Sequence, residues 1–352
     1  MKICFFCKIS DKSKLFIVEF YNQDIKILKK IDPSLTIATK YSEIDWSADV
    51  IFVWWWTYAF FPVVVSKLLR KKVVITGTFN YKCPMAASDY YRRPLLERLL
   101  IKFSIKYANE NILVSRNEYE QIYKDWNLKN IVYSPHCIDT VKYSRGMYCN
   151  RGNELFTICW TGKENVKRKC LYEIIDSVEL LKDKLDMHLN IAGHKGDAFD
   201  EVKKYISEKG LNAYISILGE ISEKEKLCYL KSCRFYLQPS RYEGFGLAIA
   251  EAMSCGTVVV TTDVGEVLNV VGNAGIIIRN TLPETIANVI EDYWNNDLES
   301  ISIAAHSRIE TLFSMARREK DIMNVVKKYK ELFCIYNHRT TKTNQKYPSV
   351  NL

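Results

Sequence analysis

Short apolar runs alternate along this chain with longer stretches in which apolar residues recur at helical spacing. A parallel sheet with crossover helices leaves this pattern in a sequence. In the first half the predicted strands are Ile3–Cys7, Val50–Val53, Val73–Ile75, Ile112–Val114 and Ile131–Tyr133. Phe16–Lys30, Tyr58–Leu69 and Pro94–Tyr107 read as helices between them. From Thr140 to Glu154 the periodicity is lost and Ser, Gly and Asn gather, which marks a linker over residues 143–154. A second series follows at Phe156–Trp160, His188–Ala192, Ile215–Leu218, Phe235–Leu237, Val258–Thr261 and Ile276–Ile278. Ser222-x-x-Glu225 has the form of a capping box. Thr281-x-x-Glu284, with Pro283 in the first turn, is expected to open another helix. Residues 300–332 read as helical, and the polar stretch 336–352 as a flexible tail. The expectation is α/β: two doubly wound halves in tandem, residues 1–142 and 155–312, with ligands bound where the carboxyl ends of the sheets face each other.

A chain of 352 residues is long for one core, which agrees with two halves. Charge then separates them. Residues 1–150 carry 23 basic and 14 acidic side chains, a net of +9, while the remaining 27 and 27 cancel. All the excess positive charge lies in the first half and points to an anionic partner there. Nucleic acid is not expected, because no recognised binding module accompanies the charge.

The uncharged run from Val50 to Ser66 is shorter than a membrane span and contains Pro62, so it reads as a buried strand followed by a helix. Eleven cysteines without a signal-peptide pattern suggest a reducing, cytoplasmic setting. Cys4-x-x-Cys7 lies in an apolar run with no second pair, and reads as two buried strand cysteines.

The candidate chemistry lies in Pro239-Ser240-Arg241-Tyr242-Glu243-Gly244-Phe245-Gly246-Leu247 and the following Glu251-Ala252-Met253-Ser254-Cys255-Gly256. Gly244 and Gly246 allow close backbone approach, and the free N–H groups of the helix that begins there favour an anion such as a diphosphate. Glu243 in the loop and Glu251 about one turn into the helix are able to accept hydrogen bonds from hydroxyls at two points of an extended ligand. Taken singly, each is equally well a solvated surface charge.

The segment as a whole resembles the E-x7-E signature of retaining glycosyltransferases of GT-B architecture, and is most similar to family 4 (glycosyl transferases group 1). Trp160-Thr161-Gly162-Lys163 is similar to the family's strand-end Gly-Arg, and Lys169-Cys170 to the Lys-Gly that follows six residues later. Ile191-Ala192-Gly193, Leu218-Gly219 and Val264-Gly265 are similar to smaller landmarks. The resemblance covers roughly residues 45–332 and is specific in the second half. It implies two Rossmann-like domains facing across a cleft, an acceptor domain first and a donor domain second. It also implies a C-terminal helix, about residues 313–335, crossing back to the first domain.

The activity implied is transfer of a hexose, with retention, from a nucleoside-diphosphate sugar to a glycan or lipid-linked acceptor in cell-surface polysaccharide or glycolipid synthesis. Lys163, Lys169 and the Gly246–Leu247 amides would hold the leaving diphosphate, Glu243 the hexose and Glu251 the ribose. Gly162, Gly193, Gly244, Phe245, Gly246 and Leu247 complete the implied donor site. No Asp-x-Asp motif is evident, so neither a metal nor a cofactor is expected.

Four departures stand against the pattern. Lys8-Ile9-Ser10-Asp11 replaces a Gly-rich first loop, and Thr78 stands where a catalytic His is usual. Gly265-Glu266-Val267-Leu268-Asn269 replaces Gly-Gly-x-x-Glu, and Lys163 replaces Arg. Lys8 and Thr78 are therefore the acceptor-side candidates. These departures keep two alternatives open: a non-catalytic sugar-nucleotide-binding relative, or another GT-B enzyme such as an epimerase.

On the stretch Pro94–Tyr107, helical spacing puts Leu96, Leu99, Leu100, Phe103 and Tyr107 on one face and Arg98, Lys102 and Lys106 in a stripe on another. Such a helix suits docking on an anionic membrane, which would make the protein peripheral to the inner face of the plasma membrane. It equally suits a crossover helix with its apolar face on the sheet.

Overall fold

The computed structural model describes residues 1–83, 88–147 and 151–328. Residues 148–150 of the expected linker, the end of the expected crossing helix and the expected tail 336–352 lie outside the described residues.

Two six-stranded parallel sheets organise the chain. The first comprises β1 (Ile3–Cys7), β2 (Thr36–Ala38), β3 (Val50–Trp54), β4 (Lys72–Gly77), β5 (Glu110–Leu113) and β6 (Ile131–Tyr133), in the order β2-β1-β3-β4-β5-β6. The second comprises β7 (Glu154–Ile158), β8 (His188–Ala192), β9 (Ile215–Gly219), β10 (Phe235–Gln238), β11 (Val258–Thr262) and β12 (Ile276–Ile278), in the order β12-β11-β10-β7-β8-β9. Helices cover both faces of each sheet, which is why central strands such as β1 and β3 are apolar throughout and not alternating. All five residues of β1 are buried: Cys4 and Phe6 join Ile51, Val53 and Ile75 in one layer, and Ile3, Phe5 and Cys7 join Phe52, Trp54 and Val74 in the other. The two cysteines of the C-x-x-C are thus buried strand residues on opposite faces.

The chain returns to its first half at the end. After the helix Glu299–Phe313, Ile138 and Ser314 form a parallel bridge, and a helix over 315–328 adds Ile322, Val325 and Val326 to the layer containing Ile3 and Phe5. Arg318 fixes the crossing. Its Nε and Nη2 donate to Asp24 Oδ1 and Oδ2 at 2.6 and 2.9 Å, and its Nη1 donates to the carbonyls of Ser134 and Pro135 at 2.9 Å each. Both side chains are almost wholly buried, so the fork-to-carboxylate geometry and the two carbonyls together satisfy a charge that would otherwise be prohibitive there.

Several elements differ from the sequence pattern, each for a local reason. The short edge strand β2 is absent from the pattern, because three residues, one of them Thr, carry little periodic signal. The predicted helix Phe16–Lys30 is two helices, Lys14–Ile17 and Glu19–Ile31, interrupted at Val18 with extended ψ of 114°. Strand β7 begins and ends two residues before the predicted one, which releases Cys159, Trp160 and Thr161 into a loop. The Ser222 capping box forms as expected, whereas the later helix starts at Pro283 with Leu282, not Thr281, as its cap residue.

The helix Leu95–Tyr107 corrects the predicted apolar face. Ile101, Ser104 and Ile105 are its buried residues, while Leu95, Leu96 and Leu99 are 67%, 69% and 55% exposed. Arg98 does not belong to an outward stripe, because its guanidinium lies over the rings of Tyr90 and Tyr91 at 5.3 and 5.1 Å. Lys102 and Lys106 do face outward. No helix among the described residues is long and apolar enough to cross a membrane.

Candidate active site

In the second sheet, strand order reverses between β7 and β10, and the crevice beyond the carboxyl ends of two such strands is where doubly wound folds bind ligands. Lys169 spans that crevice. Its Nζ donates to the carbonyl of Ile158, the last residue of β7, at 2.8 Å and to Oε1 of Gln238, the last residue of β10, at 3.2 Å. Burial pushes the Lys169 pKa down, opposed in part by the carboxylate of Glu243.

Gln238 passes the arrangement on. Its Oε1 also accepts from the Tyr236 hydroxyl at 2.6 Å, which orients the amide so that Nε2 donates to Glu243 Oε1 at 2.8 Å. Ser240 Oγ and Arg168 Nη1 donate to the same oxygen at 3.0 and 2.6 Å. Arg168 additionally holds the Tyr242 carbonyl at 2.9 Å and Asn165 Oδ1 at 3.1 Å, so it positions the loop as well as the carboxylate. Glu243, only 8% exposed, is locked in one orientation by three donors.

Past Glu243 the chain turns into the helix Leu247–Ser254 at Gly246, whose φ of 84° is a left-handed value that a side chain at this helix start would disfavour. Phe245 is buried edge-on against His136 and Phe313, so its side chain packs the two halves together. Burial, assisted by Arg318, holds the His136 pKa well below that of a free imidazole, which keeps the ring neutral.

Glu251 is the fifth residue of that helix and is buried, and burial raises its carboxyl pKa despite a nearby cation. Its Oε2 is 3.1 Å from Lys226 Nζ, which also pairs with Glu223 at 2.7 Å. Burial works against the charge on Lys226, but Glu251 and Glu223 prevail and its pKa is raised. Lys142 extends the series, pairing with Glu223 at 2.6 Å and with Glu19 of the first half at 2.7 Å. A cavity of about 550 Å³ lies over this network. Phe16, Ile17 and Glu19 line it from the first half, and Ile158, Gly193, Glu220 and Lys226 from the second. Gly193 has φ of 146°, and a Cβ there would stand 2.2 Å from the carbonyl oxygen of Cys159, so no other residue fits.

Lys163 occupies a different position from Lys169. It begins the helix Lys163–Arg168 after Gly162, its N–H donates to Asp197 Oδ1 at 2.8 Å, and its side chain is exposed. Lys169, Glu243 and Glu251 therefore belong to buried networks, whereas Lys163 stands at the open edge.

Across the cleft, Thr78 faces Gly244: a Cβ on that glycine would lie 3.5 Å from Thr78 Cγ2. The hydroxyl of Tyr242 donates to Asn80 Oδ1 at 2.8 Å, so the loop bearing Glu243 touches the first half directly. Beneath Thr78, the buried carboxylate of Glu118 accepts from the N–H of Tyr81 at 3.1 Å and of Phe79 at 3.4 Å. Burial pushes the Glu118 pKa up to about 7. Lys8, exposed after β1, places its Nζ over the rings of Tyr41 and Tyr58 at 5.3 and 5.1 Å.

Glu266 is a departure from the family pattern that has acquired a role. Fully buried, it accepts from Ser115 Oγ at 3.0 Å, Tyr133 hydroxyl at 3.1 Å, and the N–H of Arg116 at 3.0 and 2.9 Å. A carboxylate from the second half thus sits at the start of the helix Arg116–Trp126 of the first, where the helix dipole favours it.

Residues 163–308, which hold Lys163, Lys169, Glu243 and Glu251, match the family model of glycosyl transferases group 1. This part of the chain is a group 1 glycosyltransferase domain. An uncharacterized glycosyltransferase of Methanocaldococcus jannaschii is 27% identical over 282 residues, which span 78% of this chain and 74% of that protein. A GDP-mannose:cellobiosyl-diphosphopolyprenol alpha-mannosyltransferase of Xanthomonas campestris is 24% identical over 223 residues, 62% of this chain and 57% of that one. Among solved structures, HepE of Anabaena in complex with UDP superposes with a TM-score of 0.72 at 14% identity, covering 93% of this chain and all of that one, and so shares the fold. The group 1 match and these relatives support glycosyl transfer in general, and the superposition on HepE shows the GT-B fold.

Four residues that hold the candidate site and the cleft together are not among the residues expected there. Arg168 directly precedes the expected Lys169, and Gln238 is the one polar end of an apolar strand; both positions carried a signal. Glu266 was visible only as a departure from Gly-Gly. Nothing in the sequence marks Lys226, which reaches Glu251 from a separate helix.

Proposed function

We propose that the protein transfers a hexose, with retention of anomeric configuration and without a metal, from a nucleoside-diphosphate sugar to a glycan or lipid-linked acceptor, as in family 4. Glu251 accepts from the ribose hydroxyls, Glu243 from the hexose, and Lys169 with the amides at Gly246–Leu247 stabilises the diphosphate as the sugar leaves. Lys163, at the open edge, meets the outer phosphate. Charge develops on that phosphate in the transition state, and cations and helix-end amides fixed beforehand stabilise it at little reorganisation cost. Thr78 faces the sugar from the acceptor side.

The observation that carries this reading is the join at the switch point. One lysine ties the ends of β7 and β10 together and, through Gln238, to the carboxylate of Glu243. A half-buried cation beside a buried acid at that crevice suits an anionic, hydroxyl-rich ligand. The names of relatives favour mannose as the first hexose to try, and polyprenyl-diphosphate sugars as first acceptors.

The test is product analysis from a panel of GDP-, UDP- and ADP-sugars with glycan and polyprenyl-linked acceptors. Nuclear magnetic resonance assigns the anomer, and the assay is repeated in EDTA. An α-linked product from an α-donor, formed equally well in EDTA, is expected. Inversion, or loss of activity in EDTA restored by a divalent ion, contradicts the stereochemical or the metal-free part respectively.

A further inference from the structure

The helices Phe60–Leu68 and Leu95–Tyr107 lie side by side on the first sheet, joined by the rings of Phe60 and Phe103 at 5.2 Å and by Lys67 Nζ over the ring of Tyr107 at 4.4 Å. Their outer surface is not what a crossover pair requires. Leu95, Leu99, Lys102 and Lys106, at i, i+4, i+7 and i+11, form one solvent-facing stripe. Leu96 stands beside it, and Leu68, at the end of the neighbouring helix, is 78% exposed. Scattered surface leucines need no explanation, but Leu95, Leu96 and Leu99 gathered at one end of this face do, with Leu68 exposed at its other end beside Lys67.

Cations accompany the leucines. Lys67, Arg70, Lys71, Lys72 and Lys106 line a cavity of about 460 Å³ with no carboxylate in its wall among the described residues. Among the described residues, Lys67, Arg70, Lys71, Lys102 and Lys106 have no ion-pair partner. A folded protein ordinarily intersperses charges of both signs on its surface, and a face with a one-sign pocket at one end and exposed leucines at the other is shaped for an extended anionic, partly apolar partner.

We infer that this two-helix face docks on an anionic lipid bilayer, with Leu95, Leu96 and Leu99 entering the headgroup–acyl boundary and the Lys67–Arg70–Lys106 pocket holding lipid phosphate. The inference is independent of the donor-site reading. A second copy of the chain is the less suitable occupant, because a self-complementary contact would bring two acid-free cationic pockets together. A nucleic acid would satisfy the cations and leave the leucines in water. The topology also gives the face a direction. A crossover helix runs back against its strands, so Leu95 lies toward the carboxyl ends of β4 and β5 at the cleft rim, and Lys106 at the far end. Docked in this way, the membrane borders the acceptor side of the cleft.

The test is co-flotation of the full chain with neutral phosphatidylcholine vesicles and with vesicles containing about one-third phosphatidylglycerol, at low and high salt. Each Lys or Arg near such a surface contributes about 1 kcal/mol, so K67E/R70E/K106E is expected to lower partitioning at least about a hundredfold. L95S/L96S/L99S is expected to lower it about tenfold. In both variants nucleotide affinity stays unchanged, since none of the six residues touches the donor cavity. Absence of co-flotation at low salt, equal binding to neutral vesicles, or binding indifferent to both variants overturns the inference. So does a dimer in solution that L95S/L96S/L99S converts to monomer, or binding of duplex DNA tighter than binding to the anionic vesicles.

Discussion

Arg168 Nη1 and Glu243 Oε1 meet at 2.6 Å at the mouth of the second sheet, and the same guanidinium holds the backbone carbonyl of Tyr242. An arginine one residue before the expected diphosphate lysine thereby sets both the angle of the acid and the path of the loop that carries it. The pair is partly buried, with side-chain exposures of 32% and 11%, so solvent screens it less than a surface ion pair.

Loss of that arginine has a specific signature. Arg168→Met is expected to lower kcat/KM about ten- to a hundredfold, in line with one lost charge-assisted hydrogen bond. Glu243→Gln is expected to lower it at least as far, and the double variant no further than Glu243→Gln alone, because the arginine acts through the acid. Steady-state kinetics on the four proteins checks this. Additive losses would mean that Arg168 contacts substrate by itself.

Glu266 ties the two halves together without taking part in the chemistry. Glu266→Ala leaves Ser115, Tyr133 and the Arg116 N–H without their acceptor, and is expected to cost about 2–4 kcal/mol in denaturant unfolding. Glu266→Gln is expected to recover part of that loss, since an amide oxygen still accepts. Equal losses in the two variants would show that the contact depends on charge at the helix start and not on hydrogen-bond count.

The Glu118 carboxyl gives the protein a pH-dependent stability with a definite sign. Its folded pKa of about 7 lies above the unfolded value of 4.5, so the folded state binds the extra proton between those values. Its contribution is fully present below about pH 4.5 and is lost as pH rises through about 7, up to about 3 kcal/mol in all. Thermal unfolding from pH 5 to 8 should therefore show Tm falling more steeply in the native protein than in Glu118→Gln. Parallel curves would contradict the assignment.

The sequence carried the sheets well, because strands covered on both faces become largely apolar runs, and Ile3–Cys7, Ile131–Tyr133, His188–Ala192 and Ile276–Ile278 are observed at their predicted bounds. It carried the loop and helix around Glu243 and Glu251 through the glycines that shape them. What it did not carry is the partner of each acid. Arg168 reaches Glu243 across 75 residues and Lys226 reaches Glu251 across 25, and no local periodicity records a pairing of that kind. The helix Leu95–Tyr107 misled for a related reason. Its leucines suggest an inner face of Leu96, Leu99, Leu100, Phe103 and Tyr107, and only packing against the sheet selects Ile101 and Ile105 instead.

The most direct measurement is equilibrium titration of nucleoside diphosphate into the native chain and into Lys169→Met, which keeps the length of the side chain and removes its charge. With GDP and UDP both tried, the better ligand is expected to bind the variant at least about tenfold more weakly, the equivalent of about 1.4 kcal/mol of lost charge-assisted contact. Equal affinities in the two proteins, both folded by thermal melting, would contradict a diphosphate held at the ends of β7 and β10.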